Sequence, residues 1–296
     1  MSDRQWHGGT GGGALGQRAL ILFLRFFSFR IGYAAVALIA PFYMLISWRN
    51  CRAIYRYFRQ QHGCRAVPAL LKTYRNHFIF GQVILDRFTV FAGKRHLFTT
   101  EVIGMEHFNR LLDSSRGFIM AGSHIGNFEI GGYLLHQQRK RINALVYAGE
   151  SRVVQLNRSK ALGSNNISLI PVLDDLSHLF SVHAALERGE TVSMPCDRIH
   201  GSPKSLSCRF LRGTAKFPIG PFAVASRMNV EMLAIYVLKT GTRKYTVHVI
   251  PITPAQQQAS ATGQAKTYLE NYVRATEQIL LKYPEQWFNY YEFWEK

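Results

Sequence analysis

Acidic residues are scarce in this chain. Eighteen Asp and Glu stand against 36 Lys and Arg, which leaves a formal net charge of +18. A chain this basic is drawn to a nucleic acid, an anionic membrane or an acidic protein. No RNP, KH or zinc-finger pattern is present, which argues against the first. Cysteine is scarce too. Cys51, Cys64, Cys196 and Cys208 form no CxxC and no Cys/His ligand spacing, so free thiols in a reducing compartment are expected, and no metal site. A long polar tract is missing and 47% of the residues are hydrophobic, which excludes extended disorder. P-loop, Rossmann fingerprint, Gly-x-Ser-x-Gly elbow and internal repeat are all absent.

What is present centres on Gly117 to Gly132. Phe118 to Ala121 is a short apolar run bounded by glycines, which predicts a buried strand. Gly122, Ser123, Gly126 and Asn127 are turn formers. From Phe128 the apolar spacing becomes helical, with Asn127 placed as N-cap and Glu129 in the first turn, where a carboxylate suits the helix dipole. The reading is strand, tight turn, helix, with His124 in the turn at a strand's carboxyl end, where open α/β sheets put their ligands. On one unbroken helix His124 and Glu129 would point about 140° apart. The Gly126-Asn127 turn lets the loop fold back and brings Glu129 within reach. A carboxylate on one ring nitrogen leaves the other as a general base. A loop histidine that merely bonds a helix N-terminus is the competing reading.

The flanking segments alternate. Strands are expected at 98–103, 144–148, 167–172, 191–194 and 205–211, with a closing pair at 230–238 and 245–252 joined by Thr240-Gly241-Thr242. Helices are expected at 67–91, 104–112, from Ser151 (with Arg152, Arg158 and Lys160), from Asp174 to Leu186, at 222–228 and at 267–281. This is the pattern of an α/β layer architecture, a mostly parallel or mixed sheet flanked by helices. Asn76, His77 and Asp86 on the first of these helices read as structural. The Asp174-Asp175 pair reads as a helix cap.

The charge is uneven. Residues 1–60 hold eight Arg and one Asp beside the most apolar stretch of the chain. Ile31 to Trp48 carries no charge and would be about 27 Å long as a helix, a little short of a ~30 Å hydrocarbon core. Arginines flank both ends, so the positive-inside rule chooses no orientation. Pro41 would kink the helix. A membrane span, an embedded helix with both ends at the headgroups, and a buried core helix all stay open. The expected division is an N-terminal membrane-associating region, 1–60, and an α/β catalytic domain, 61–296.

Gly122-Ser123-His124-Ile125-Gly126-Asn127-Phe128-Glu129 resembles the His-x4-Asp/Glu motif of the glycerolipid and lipid A acyltransferase superfamily, in particular the lauroyl/myristoyl transferases of lipid A biosynthesis. Asp197-Arg198, Gly201, Gly213 and Gly220, followed by an apolar helix, resemble that family's second signature, although Ser202 to Ser205 depart from it. Pro284-Glu285-Gln286-Trp287 resembles its C-terminal Pro-x-Gln-Trp segment; from the residues alone this is an aromatic plug over the core or a set of rings at a membrane interface. The resemblance implies an inner-membrane enzyme, working at the cytoplasmic face, that moves a fatty acyl group from a thioester to a hydroxyl or amine. It implies His124 and Glu129 as the catalytic pair. Ser123, Gly126, Asn127, Asp197, Arg198, Gly213, Pro218 and Gly220 are the expected substrate-binding set. Arg198 suits a phosphate or phosphopantetheine oxygen. The oxyanion would rest on backbone N–H groups near Gly126 or on a basic side chain. Acyl carrier protein or coenzyme A serves as co-substrate, with no further cofactor. Lipid A precursor, an aminolipid and a pigment hydroxyl are all compatible acceptors. A membrane-bound esterase and a non-catalytic scaffold are the rival readings.

Overall fold

The computed structural model describes residues 20–22, 24, 28–134, 139–147, 166–172, 175–199, 204–253 and 260–295. Ser28 caps the first long helix, α1 (Phe29–Ile46), by accepting the backbone N–H of Arg30. A short helix, α2 (Trp48–Arg56), leads through a π-turn at Tyr57–Gln61 into α3 (Ala66–Phe91). The chain then alternates through β1 (Thr99–Ile103), α4 (Met105–Asp113), β2 (Phe118–Gly122), α5 (Phe128–Leu134), β3 (Ile142–Tyr147), β4 (Ile167–Val172), α6 (His178–Glu187) and β5 (Thr191–Pro195). A hairpin of β6 (Ser205–Phe210) and β7 (Gly213–Pro218) stands apart from the main sheet. The chain closes with α7 (Gly220–Met228), β8 (Met232–Lys239), β9 (Lys244–Pro251) and α8 (Ala261–Lys282).

Seven strands form one sheet in the order β1-β9-β8-β2-β5-β3-β4. All neighbours are parallel except the β8–β9 hairpin. This is the mixed α/β sheet that the alternation predicts. β2 takes the centre because Phe118, Ile119 and Ala121 are buried to 0% exposure, which only a strand covered on both faces allows. The helix expected from Asp174 begins later, at His178: Leu176 sits at φ 62°, outside helical geometry. Residue 174, the helix expected at Ser151 and Gly201 lie outside the described residues.

The C-terminal segment packs inward. Trp287 forms one aromatic cluster with Tyr57, Phe210, Phe293 and Trp294, so the plug reading holds over the interface reading. Ile54, Tyr57 and Phe58 join the same core.

Polar residues on α3 do structural work. Asp86, fully buried, meets the ammonium of Lys239 at 2.6 Å and accepts hydrogen bonds from the hydroxyls of Tyr33 on α1 and Tyr245 on β9. Lys239 also donates to the Tyr33 oxygen (2.8 Å) and the Thr242 carbonyl (3.0 Å). Removing one partner of such a buried pair strands the other charge without water. Asp86→Leu is therefore expected to cost about 3–5 kcal/mol in chemical denaturation, and adding Lys239→Met should return part of the loss. Wild-type stability for Asp86→Leu alone would show that the pair contributes nothing.

Candidate active site

β2 and β5 end side by side. Gly122 pairs with Pro195, and the N–H of Cys196 donates to the Gly122 carbonyl at 2.9 Å. The segments that leave the two strands therefore run together at the sheet's carboxyl edge. There His124 meets Asp197. One carboxylate oxygen of Asp197 lies 2.8 Å from the ring Nδ1 of His124, and the other accepts the backbone N–H of His124 at 2.7 Å. Asp197 is 3% exposed and the His124 side chain 27%. An acceptor on Nδ1 assigns the ring proton there and leaves Nε2 as the basic nitrogen.

The electrostatics agree. Burial opposes ionisation of Asp197, but the His124 ring and N–H and the nearby Arg198 outweigh it, so its carboxyl titrates below its ordinary value. Burial lowers the pKa of His124 below its ordinary 6.5; Asp197 pulls it up and Arg198 pushes it down. The imidazole is therefore neutral at pH 7, as a general base must be.

The turn after His124 is tightly fixed. Gly126 has φ +68°, and a Cβ there would collide with the Val237 carbonyl oxygen, so glycine is required. Its N–H donates to the Gln286 carbonyl (2.7 Å), and the N–H of Asn127 donates to the Val237 carbonyl (2.7 Å). The N–H of Phe288 holds the His124 carbonyl at 3.0 Å. Asn127 caps α5 as expected: its side-chain oxygen accepts the N–H of Ile130 at 3.2 Å, and its amide reaches the Tyr245 hydroxyl, also at 3.2 Å. The backbone N–H groups of His124, Gly126 and Asn127 are thus all committed within the protein. Of the two expected oxyanion holders, backbone amides near Gly126 or a basic side chain, the amides of Gly126 and Asn127 are therefore already taken.

Glu129 is placed differently from its expected role. It stands in the first turn of α5, with its carboxylate 3.0 Å from Arg87 of α3. The carboxylate on His124 is that of Asp197. The sequence put Asp197 in the right place, at a strand end, but in the substrate-binding set; its side chain is instead committed to the imidazole. Arg198 donates to the Phe288 carbonyl at 3.1 Å, and its guanidinium lies 5.9 Å from the centre of the Tyr291 ring. Ser123 is buried beside the pair. Gly213, Pro218 and Gly220 make no hydrogen bond to His124 among the described residues. Gly213 lies under the Trp294 indole, Pro218 ends β7, and Gly220 opens α7 with free space around it. Sequence reasoning missed Gln286, whose side-chain amide pairs with both the N–H and the carbonyl of Lys239 at 2.9 Å while its own carbonyl anchors Gly126. Its signal was there, in the Pro-x-Gln-Trp segment.

A buried carboxylate that fixes one nitrogen of a part-exposed histidine, at the carboxyl edge of an α/β sheet, is the geometry of a candidate general-base site for group transfer or hydrolysis. Residues 72–296 match the bacterial lipid A biosynthesis acyltransferase family, and the chain belongs to it. Among curated proteins no relative matches the chain.

Two variants separate the carboxylates. The acid limb of kcat/KM for acyl transfer should titrate below 6.5, because His124 loses its proton more readily than a free imidazole. Asp197→Asn removes the group that pulls this pKa up, so the limb should move further to the acid side, and the rate should fall by about 10²–10⁴-fold. Glu129→Gln should reduce the rate through the Arg87 pairing and leave the limb where it was. An unchanged rate in Asp197→Asn would reduce Asp197 to a loop tether.

Proposed function

We propose that this protein transfers a fatty acyl chain from an acyl thioester to a hydroxyl or amine of a lipid acceptor, a lipid A-type precursor being favoured. The observation that carries the reading is the Nδ1 contact of His124 with buried Asp197, which leaves Nε2 to take a proton. In the reaction Nε2 removes the proton of the acceptor group as its oxygen or nitrogen attacks the thioester carbonyl. The imidazolium that forms is stabilised by Asp197. The tetrahedral intermediate then collapses, and the thiolate of the donor leaves, taking up the proton. No acyl-enzyme is needed.

Arg198 is a basic side chain that could balance the developing oxyanion, since it lies near enough to His124 to lower its pKa. The net charge of +18 suits an acidic carrier protein as donor and an anionic bilayer as the source of the acceptor. The apolar helix α1, near the N-terminus, has the length and composition of a membrane-contacting segment and supports action at a membrane surface; we take that surface to be the cytoplasmic face of the inner membrane.

Lipid mass spectrometry tests this directly. Cells lacking the protein, complemented with wild type or with His124→Ala, are expected to differ by one acyl chain on one lipid species. The species names the acceptor, and the mass names the chain. Full restoration by His124→Ala would remove the general-base assignment, and an unchanged lipidome would remove the acyltransferase substrate.

A further inference from the structure

We propose that α1 lies in the plane of an anionic bilayer surface as an interfacial helix and does not cross it. This rests on the membrane association proposed above and adds its geometry.

α1 is apolar enough to span, yet it is not free-standing. One face is fastened to α3 for most of its length. Gly32 admits Leu85 of α3, and Gly81 of α3 admits Val36; a side chain at either glycine would crowd the neighbour. Pro41 has no N–H for the Ala37 carbonyl, and the Tyr74 hydroxyl of α3 takes that acceptor at 3.2 Å. Tyr33 bonds Asp86 at one end of the contact, and Tyr43 packs on His77 at 6.1 Å toward the other. The two helices therefore run antiparallel.

The opposite side of α3 carries the catalytic domain at the same levels. Asn76 donates to the carbonyls of Glu285 and Trp287, both at 2.9 Å. Farther along, Asn127 reaches the Val83 carbonyl, Lys239 pairs with Asp86, and Arg87 pairs with Glu129. An upright α1 would carry these ion pairs and the polar turn beside His124 into hydrocarbon, where charged groups are strongly disfavoured. Laid flat, the helix keeps the domain in water and immerses only its outer face.

That outer face is built for immersion. Leu38, Ile39, Phe42, Leu45 and Ile46 are all exposed, and Leu70 and Leu71 extend the patch at the start of α3. Exposed Arg30 and Arg49 stand at the two ends of α1, both at headgroup level in this orientation. With eight Arg and one Asp in residues 1–60, the complementary surface is an anionic one. Phe80 of α3 packs on Phe288 at 5.0 Å and the N–H of Phe288 holds the His124 carbonyl, so α3 connects α1 to the turn that carries His124.

Spin-label depth profiling on the full chain distinguishes the two orientations. Single cysteines at positions 31–48, in a background with Cys51, Cys64, Cys196 and Cys208 replaced, carry a nitroxide in phosphatidylglycerol-containing vesicles. Depth is read from the ratio of oxygen to nickel-chelate collisions. The expected profile oscillates with the helical repeat: positions 38, 42 and 45 share one shallow depth, and 40 and 44 are shielded by protein. A profile that deepens steadily to the middle of the segment and rises again, whichever way each residue faces, overturns the proposal. Failure to bind these vesicles at all would instead remove the membrane association itself; a dimer in solution would then assign the apolar face to a second copy.

Discussion

Asp197 receives both the ring Nδ1–H and the backbone N–H of His124, and the chemistry of the site depends on that double contact. Either bond alone would leave the imidazole free to rotate or the loop free to shift. Together they fix the ring, its tautomer and the path of the chain out of β2. The contact exists only because β2 and β5 are hydrogen-bonded neighbours that end at the same level. The buried residues of those strands, Phe118, Ile119, Ala121, Thr191, Val192 and Met194, thus set the geometry of the His124–Asp197 pair.

A second constraint reaches the site from the far end of the chain. Gln286 mimics a strand residue with its side chain, satisfying both polar groups of the Lys239 backbone, while its main-chain carbonyl holds Gly126. Trp287 next to it is 2% exposed in the core, and Phe288 closes the bridge to His124. An unpaired backbone group at any of these points would cost about 1–3 kcal/mol, so the C-terminal segment and the turn after His124 stabilise each other. This accounts for a polar glutamine among aromatic residues: a side-chain amide offers a donor and an acceptor side by side, as a strand's own backbone does.

What was legible in the sequence was local. The alternation of apolar strands and amphipathic helices gave the fold class, and the glycines around His124 gave the turn, because each is written within a few residues. Asn127 as the cap of α5 was readable for the same reason. The pairing of His124 with Asp197, 73 positions apart, was not, since it follows from which strands lie side by side. Glu129 drew the assignment because it is near His124 in sequence, but the first helical turn carries it to Arg87 instead. Gly213 lies beneath Trp294 and Pro218 ends β7, positions that depend on the hairpin and not on neighbouring sequence.

Asp86 shows how the remaining polar residues fit. A charge buried between α1, α3 and the β8–β9 hairpin is a poor source of stability compared with a well-packed apolar group. What it supplies is a single arrangement. Its oxygens accept from Tyr33, Tyr245 and Lys239, and Tyr245 in turn accepts from Asn127, the cap of the helix that follows His124. A rotated or shifted α1 leaves this carboxylate short of a donor in the interior, where water cannot replace it. The apolar helix and the catalytic turn are therefore held in one register by an unbroken run of hydrogen bonds. A buried network that tolerates one geometry fixes the distance between α1 and the turn that carries His124 better than apolar contacts, which tolerate several.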